Sequence, residues 1–261
     1  MSAPVFDTFI FVPAYNVEKT LAGVLDKIPE SVWTRSKVLV INDGSKDGTE
    51  AVAREYGAIC DSRENRAGRL KYFAFEQNSG YGAVVKKGIT EGLASGAKFV
   101  ACLHGDGQYP AELLDKFLEH LENFRDETRD ADGSVEKRCL ALLQGSRRAV
   151  AGGAKAGNMP LHKRIGGAFL TALENIAFKY KLTDRHSGFI LYNAEFLRQV
   201  DVDKLSPSFD IDLELISIAD TRFALGELPI PTVYADEKSN LNVINYGFRC
   251  LRLVWRRLWM N

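Results

Sequence analysis

The sequence has no excess of charge of either sign. Its 261 residues include 34 Lys and Arg and 34 Asp and Glu, so the formal net charge is zero. A protein that binds nucleic acid through its phosphates usually carries a strongly basic surface, and this balance argues against that class of partner. A net charge of zero is still compatible with local basic patches on the surface.

Cysteines are few, and none of them form a close pair. The four lie far apart along the chain, at Cys60, Cys102, Cys139 and Cys250. Cys-x-x-Cys spacing is typical of zinc sites, so the absence of this spacing argues against such a site. We expect reduced thiols, as is usual in cytoplasmic proteins.

Long apolar runs are also missing. No stretch approaches the roughly 18 uninterrupted apolar residues that a membrane-spanning helix needs. Residues 1–8 lack the basic and apolar regions of a signal peptide, so we expect none. The chain is nevertheless 46% hydrophobic, which suits a folded core. These features predict a cytoplasmic protein, which can still lie on a membrane surface.

Strands and helices alternate through the first half of the chain. Apolar runs typical of buried strands begin near residues 9, 37, 72 and 99, and helical spacing of apolar residues separates them. This alternation favours βαβ units and a parallel sheet. Further strands are predicted at 140–147, 189–192 and 228–233, and further helices at 161–180 and 213–219. Pro229 and Pro231 cannot donate to a sheet, so the last strand must lie at an edge.

Polar residues follow the first two predicted strands. The first strand leads into Pro13, Tyr15, Asn16 and Glu18, and the second leads into Asp43 on a tight turn. In open α/β sheets, ligands bind at the carboxyl ends of the strands. A carboxylate at such a turn can accept hydrogen bonds from a base or a ribose. The alternative is that Asp43 only forms a turn and caps a helix.

A short polar segment follows the fourth strand. His104, Asp106 and Gln108 alternate along it, and alternate residues of an extended segment point the same way. The three side chains can therefore converge on one metal ion, Mg²⁺ or Mn²⁺, which would neutralise a diphosphate leaving group. Either Asp106 and Gln108 hold the metal together with phosphates, or His104 contacts the donor directly.

Taken together, these motifs resemble glycosyltransferase family 2, and in particular its dolichyl-phosphate mannose synthase and bacterial polyprenyl-phosphate branch. The resemblance implies a GT-A-like single α/β domain over residues 1–240, with a mostly parallel twisted sheet flanked by helices. It also implies an inverting transfer from a nucleotide-diphosphate sugar. The residues that it implies for the donor site are Pro13, Tyr15, Asn16, Glu18, Asp43, Gly80, Gly82 and Asp106.

Two positions depart from the pattern of this family. Relatives often carry lysine where Tyr81 stands in the glycine-rich turn, and they usually carry aspartate where His104 stands. The first departure puts a charge contact to the donor in doubt. The second removes one carboxylate from the metal site and adds an imidazole, which suits Mn²⁺ better than Mg²⁺.

A basic patch follows the strand at 140–147. Arg147, Lys163 and Arg164 match the region in which the family's arginines meet phosphates, and guanidinium groups suit phosphate geometry. The Gly/Ala-rich residues 149–159 between them could close over the donor as a lid. The alternative is that these charges are simply solvated.

Acidic residues in the second half are candidates for the general base. Asp184 begins a segment that matches a family pattern ending in Gly188 and Phe189, and Asp212 lies at the start of a predicted helix. A hydroxyl acceptor must lose a proton on attack, whereas a phosphate acceptor is already ionised. Asp184, Asp212 and Arg147 are our catalytic candidates, and His186 is a candidate for the acceptor site. The alternatives are an N-cap for Asp212 and a structural role for His186.

The last residues, 241–261, have the pattern of an amphipathic helix. Its apolar residues recur at helical spacing and include tryptophan, with arginines between them, which is typical of a helix lying on a membrane. The alternative is a helix docked on its own domain or on a second subunit in a homodimer.

The leading hypothesis is therefore a metal-dependent enzyme at the inner face of the membrane that transfers a hexose from a UDP- or GDP-sugar to polyprenyl phosphate. A hydroxyl acceptor on a glycolipid or polysaccharide is the first alternative. A protein that binds nucleotide sugars without catalysis is a further one. A nucleotidyltransferase would need a glycine-rich, lysine-bearing loop after the first strand, and residues 13–16 do not form one.

Overall fold

A computed structural model describes residues 6–124, 126–129, 135–150, 159–231 and 243–259 of the chain. The strands are β1 (Thr8–Ala14), β2 (Ser36–Asn42), β3 (Leu70–Ala74), β4 (Phe99–Cys102), β5 (Asp126–Arg129), β6 (Val135–Arg138), β7 (Leu140–Ser146), β8 (Ile190–Asn193) and β9 (Ala224–Pro229). The helices are α1 (Leu21–Asp26), α2 (Glu30–Trp33), α3 (Thr49–Asp61), α4 (Tyr81–Ala94), α5 (Leu114–Asn123), α6 (Leu161–Ala177), α7 (Ala194–Leu197), α8 (Ile211–Arg222) and α9 (Val243–Trp259).

Seven of these strands form one sheet in the order β3-β2-β1-β4-β8-β7-β9. The neighbours from β3 to β4 are parallel, β8 runs antiparallel to both β4 and β7, and β9 is parallel to β7. The predicted mostly parallel sheet is confirmed, and β8 is its antiparallel strand. The last strand does lie at an edge of the sheet, although it begins earlier in the chain than the sequence indicated.

Helices cover both faces of the sheet, as predicted. Alternate residues of β1 divide between the two faces, so that Ile10 and Val12 pack into one apolar core and Phe9 and Phe11 into the other. Side chains of a strand point alternately to opposite faces, which is why one short apolar run can supply both cores.

The register of the parallel strands places their carboxyl ends together. Ala14 pairs with Asn42, and Phe11 pairs with Cys102, the last residue of β4. The segments that follow β1, β2 and β4 therefore meet at one edge of the sheet. The predicted metal residues and all of the predicted donor residues except Gly80 and Gly82 lie on these segments or at the end of β1.

Some elements differ from the predictions. The helical spacing of apolar residues predicts a first helix over 17–28, and the structure has only Leu21–Asp26; α2 and α5 were not predicted. The apolar residues of α5 do recur at helical spacing, with Leu114, Phe117, Leu118 and Leu121 buried. The charged residues 122–137 predict a surface excursion, and within this region β5 pairs with β6 in antiparallel fashion.

Parts of several predicted features lie outside the described residues. They include most of the predicted lid at 149–159, residues 232 and 233 of the predicted last strand, and residues 241, 242, 260 and 261 of the predicted C-terminal helix. Among the described helices, none combines the length and the apolar character needed to cross a bilayer.

Candidate active site

The segments after β1 and β2 are joined by hydrogen bonds between side chains and the backbone. The Asn16 side-chain oxygen accepts from the Lys46 amide at 2.9 Å, and the Asn16 amide donates to Ser45 Oγ at 2.9 Å. Glu18 Oε2 accepts from the Gly48 amide at 2.7 Å. Both predicted donor residues thus lie at the expected edge, where they fix one segment against the other.

Asp43 links the turn after β2 to the glycine-rich turn before α4. Its two carboxylate oxygens accept from the Ser79 and Gly80 amides at 2.6 and 3.0 Å, and its side chain is buried. Each oxygen retains a further lone pair, so these bonds are compatible with a contact to a nucleoside. Their direct effect is to hold the glycine-rich turn close to the strand edge.

Gly80 and Gly82 are glycines for different reasons, the first for its backbone conformation and the second for lack of space. Gly80 has a φ of +90°, a conformation that glycine adopts readily and other residues rarely do. Gly82 lies against the backbone of a neighbouring segment, where an added Cβ would approach the Pro207 carbonyl carbon to 2.3 Å. The close approach at Gly82 is therefore to the protein's own chain.

Asp106 lies on the tight turn that follows β4. Its Oδ1 accepts from the Gln108 amide at 3.0 Å, and the intervening Gly107 has a φ of +78°. The turn is tied to the first strand by the Gly105 amide, which donates to the Pro13 carbonyl at 3.0 Å. In the part of the chain that the structure describes, Asp106 belongs to no group of three potential metal ligands. A metal there would take its remaining ligands from donor phosphates and water, as Mg²⁺ commonly does.

His104, Tyr81 and Asp212 form a chain of contacts beside this turn. The Tyr81 hydroxyl donates to Asp212 Oδ2 at 2.9 Å and lies 3.3 Å from His104 Nε2. When Asp212 is ionised and accepts the single proton of this hydroxyl, the hydroxyl can only accept a hydrogen bond from the imidazole. Nε2 of His104 then carries the proton, and Nδ1 keeps a lone pair that can bind a metal.

Burial sets the charge state of this chain. It lowers the pKa of His104, against the opposing effect of Asp106, so the imidazole is neutral at neutral pH. Burial also raises the pKa of Asp212 to about 7, although hydrogen bonds from Tyr81 and Tyr192 oppose the shift. A neutral imidazole is the form that binds metals, and a carboxyl group with a pKa near 7 can exchange a proton at neutral pH.

Sequence reasoning missed the part that two tyrosines play here. Tyr81 was noted only as a departure from the family pattern, and Tyr192, which donates to Asp212 Oδ1 at 3.4 Å, was treated as part of an apolar strand. The Tyr81 ring also stacks on Phe209, with centroids 5.2 Å apart. The alternation of β8 could have indicated one face for Tyr192, but not its partner.

Arg147 and Asp184 form a buried ion pair. Arg147 Nε and Nη2 donate to the two carboxylate oxygens of Asp184 at 2.7 and 3.1 Å, and Nη2 also donates to the His186 carbonyl at 2.8 Å. Asp184 is 1% exposed. Burial alone would raise its pKa, but the Arg147 guanidinium outweighs it and the pKa is lowered. The pair fixes the end of β7 to the segment before β8 and leaves Asp184 poorly placed to act as a base.

The predicted phosphate residues lie around the start of α6. Arg148 Nη1 donates to the Arg164 carbonyl at 2.9 Å, which ties the end of β7 to this helix. Arg164 is partly buried in the first turn, whereas the side chain of Lys163 lies outside the described atoms. Arg148 thus lies beside the first turns of α6, next to Arg147 in the chain, and we call Arg147, Arg148 and Arg164 the arginine cluster.

The His186 ring makes its contacts with two helices, α6 and α9. Its Nδ1 lies 2.8 Å from the Tyr246 hydroxyl on α9, and its Nε2 lies 3.3 Å from Glu174 Oε2 on α6. Burial lowers the pKa of His186 to about 4 and raises that of Glu174 to about 8, so both groups are neutral at neutral pH. The His186 ring is therefore held between α6 and α9, while its carbonyl accepts from Arg147.

Comparison with known proteins agrees with this architecture. Residues 9–201 match the model of glycosyl transferase family 2. The chain is 23% identical over 234 residues to UDP-N-acetylglucosamine–dolichyl-phosphate N-acetylglucosaminyltransferase of Methanococcus voltae, covering 87% of this chain and 86% of that protein. It is 29% identical over 238 residues to dolichyl-phosphate beta-glucosyltransferase of Trichomonas vaginalis, covering 87% of this chain and 63% of the relative.

A solved structure has a similar fold. Glucosyl-3-phosphoglycerate synthase from Mycobacterium tuberculosis, determined with Mn²⁺, UDP and glucosyl-3-phosphoglycerate, aligns with a TM-score of 0.62. The alignment covers 97% of this chain and 80% of that one at 14% identity. The match to the family model extends over most of the chain, from β1 to beyond α7, and the chain belongs to glycosyltransferase family 2 with the GT-A fold.

Proposed function

We propose that this glycosyltransferase transfers a hexose from a UDP- or GDP-sugar to the phosphate of a polyprenyl lipid, with a divalent metal at Asp106. The observation that carries the choice of acceptor is an apolar surface formed by α6 and α9, which begins beside the arginine cluster. A lipid phosphate needs both features, because its charge must meet cations while its chain stays in the membrane. Relatives named for dolichyl phosphate support the same acceptor class.

The apolar surface consists of two stripes on neighbouring helices that pack against each other. Its members are 40–72% exposed, and we call them the apolar face: Leu161, Ile165, Phe169, Ile176, Phe248, Leu251, Trp255, Leu258 and Trp259. With about 100° between successive residues of a helix, each stripe spans an arc of about 100° or less. Such a continuous surface is larger than the isolated apolar residues normal on soluble proteins.

One side of α9 docks on the protein while the other is exposed. Arg249 donates to Asp210 Oδ1 at 3.1 Å, and Arg257 donates to Asp220 Oδ2 at 3.3 Å. Docking of the helix on its own domain and contact with a membrane are thus compatible. Arg252 and Arg256 are exposed and lie between the apolar stripe and the docked side of the helix, where they would meet anionic lipid headgroups. A location at the inner face of the membrane remains a prediction.

The metal would be held by Asp106 and by Nδ1 of His104, with Gln108 and the donor phosphates as further ligands. Bound there, it would act as a Lewis acid on the diphosphate leaving group. The neutral imidazole and the Tyr81 contact at Nε2 fit this role. The protein's own contribution is to hold His104 in one tautomer and orientation. We propose Mn²⁺ before Mg²⁺ because an imidazole is among the ligands.

The proposed reaction is tested by following the sugar into product. With polyprenyl phosphate and Mn²⁺, we expect label from the correct nucleotide sugar to appear in a lipid that mild acid cleaves, because a glycosyl phosphodiester is acid-labile. A product that survives mild acid would instead show a hydroxyl acceptor. If the protein binds the donor but releases no nucleoside diphosphate with any acceptor tested, it is a non-catalytic binding protein and the proposal is contradicted.

One observation favours the hydroxyl acceptor as a second candidate. Asp212 is a half-buried carboxyl group with a pKa of about 7 beside the proposed metal site. A group with this pKa can serve as a general base, which a hydroxyl acceptor needs and a phosphate does not. If Asp212 is the base, kcat rises with pH through about 7 and Asp212→Asn removes that rise. With a phosphate acceptor, the Asp212→Asn variant keeps the pH profile of the wild type.

We expect Tyr81→Phe to raise the Mn²⁺ concentration needed for half-maximal activity by about 10- to 100-fold, because an outer partner of a metal-binding histidine is lost. At saturating Mn²⁺, kcat should fall much less. Tyr192→Phe is the matched control. It also removes a hydroxyl that donates to Asp212, but the Tyr192 hydroxyl, unlike that of Tyr81, makes no hydrogen bond to His104. Equal metal requirements in the two variants would contradict the role given to Tyr81.

Membrane contact predicts that Phe169→Ser and Trp255→Ser each weaken binding to anionic vesicles by about 10-fold or more. Burying one large apolar side chain contributes about 1.5–3 kcal/mol. Ile59→Ser is the control, because Ile59 is similarly exposed but lies on α3. If the variants leave vesicle binding intact and convert a dimer to a monomer in light scattering, the apolar face is a subunit interface instead.

A further inference from the structure

Three potential metal ligands meet at a point where separate elements of the structure converge. Glu174 lies on α6, His186 lies on the segment before β8, and Cys250 lies on α9. One ligand atom from each lies within 4.8 Å of the other two. None of them belongs to the donor site or to the arginine cluster. The spacing of cysteines along the sequence gave no indication of this meeting.

The ligand atoms of this cluster are buried and unsatisfied. Glu174 is 0% exposed, and neither its carboxyl oxygens nor His186 Nε2 makes a hydrogen bond of good geometry, although Nε2 lies 3.3 Å from Oε2. Cys250 is also fully buried. Buried polar atoms that lack hydrogen bonds are unfavourable, so this cluster calls for a physical explanation.

We propose that Glu174, His186 and Cys250 form a buried site for a divalent transition metal of the zinc class. Carboxylate, imidazole and thiolate are the three ligand types that zinc binds in proteins. A mixed set containing sulfur and nitrogen selects zinc over magnesium or calcium, which prefer oxygen. A fourth ligand, such as a water molecule, would complete a tetrahedron.

The distances fit a site that needs only a small contraction. Zinc–ligand bonds of about 2.0–2.3 Å place neighbouring ligands of a tetrahedron about 3.3–3.8 Å apart. The separation of His186 Nε2 and Glu174 Oε2 is 3.3 Å, which already equals such an edge. Cys250 can approach by rotation of its side chain, since the largest separation in the cluster is 4.8 Å or less.

Tyr246 orients the histidine for this role. Its hydroxyl lies 2.8 Å from His186 Nδ1 and can accept the proton there, which leaves the lone pair of Nε2 directed at Glu174. Metal-bound histidines almost always donate their other ring nitrogen to such a partner. Tyr246 and Cys250 are four residues apart on α9, so they face the same side of that helix.

A metal here would link α9 to the body of the domain. The bond to His186 would also brace the segment that carries Asp184, the partner of Arg147. The site is thus structural, and it differs in ligand chemistry from the proposed metal at Asp106, which has no sulfur ligand. This difference makes the two sites separable by spectroscopy.

Cobalt provides the test, because Co²⁺ replaces zinc and its bond to a thiolate gives a charge-transfer band. The full-length protein is freed of metal with a chelator under reducing conditions and titrated with Co²⁺. We expect one equivalent to give this band together with the visible spectrum of a tetrahedral site, and Zn²⁺ to displace it. Asp106→Asn and Cys139→Ser should keep the band, and Cys250→Ser should lose it.

The Tyr246→Phe variant separates an orienting role from a purely structural one. We expect it to keep the cobalt–thiolate band while its metal affinity falls about 10- to 100-fold. Absence of the band in the wild-type protein would overturn the proposal, without relying on any variant to fold. A band that survives Cys250→Ser would overturn it as well, because the thiolate would then be another cysteine.

Discussion

Asp106→Asn should lower kcat for sugar transfer by about 100- to 1,000-fold, with little change in the free energy of unfolding. Asp106 is partly exposed at a turn, so its side chain contributes little to packing. Asp106 is the only carboxylate that we assign to the metal. Without it, no metal ion would be held firmly enough to act as a Lewis acid on the diphosphate leaving group. Single-turnover assays at saturating donor and Mn²⁺ measure the effect.

Two controls accompany this prediction. Asp115→Asn changes an exposed carboxylate on α5, which accepts from the Ser31 hydroxyl at 2.9 Å, and should leave kcat unchanged. Addition of EDTA to the wild-type enzyme should have the same effect as Asp106→Asn. Transfer that is insensitive to EDTA, or an Asp106→Asn variant with near-normal kcat, would show that Asp106 does not hold a metal.

The Arg147→Met variant should lose about 3–5 kcal/mol of unfolding free energy at neutral pH. Removal of one partner of a buried ion pair leaves the other charge uncompensated, and Asp184 is almost completely buried. The comparison is Arg54→Met, which breaks an exposed pair with Glu50 one helical turn away and should cost less than about 0.5 kcal/mol. Urea denaturation of each variant gives the values.

The dependence on pH distinguishes this cause from loss of packing. In the wild type the pKa of Asp184 is lowered, so its pair contributes stability above the unfolded value of 3.8 and loses it as pH falls through the folded pKa. Without Arg147, burial raises the pKa of Asp184. The cost of burying its unpaired charge then disappears once the carboxyl group is protonated. The difference between wild type and Arg147→Met should therefore shrink toward acidic pH. A difference independent of pH would indicate packing instead.

Two departures from the family pattern prove to be neighbours in space. The sequence presented Tyr81 and His104 as separate changes, 23 positions apart. In the structure the Tyr81 hydroxyl lies 3.3 Å from His104 Nε2. The sequence, taken position by position, could not reveal that these two side chains are in contact.

Two residues of the predicted site, Asp184 and His186, make contacts in the structure that the sequence did not indicate. Asp184 was predicted as a catalytic carboxylate, and its role remains untested, but its bond to Arg147 occupies both oxygens. His186 was predicted near the acceptor phosphate, whereas its ring meets α6 and α9. In both cases the residue type and motif were informative, but the direction of the side chain was not available from the sequence.

The sequence by itself determined the alternation of strands and helices, the edge at which Asp43 and Asp106 lie, and the family. These depend on the local periodicity of apolar residues and on motifs of a few adjacent positions, which the backbone converts directly into strands, helices and turns. Only the tertiary structure decided which distant side chains meet: Tyr81 with His104 and Asp212, Arg147 with Asp184, and Glu174 with His186 and Cys250. Such meetings depend on how packed elements aim their side chains, and that information is distributed over the whole chain.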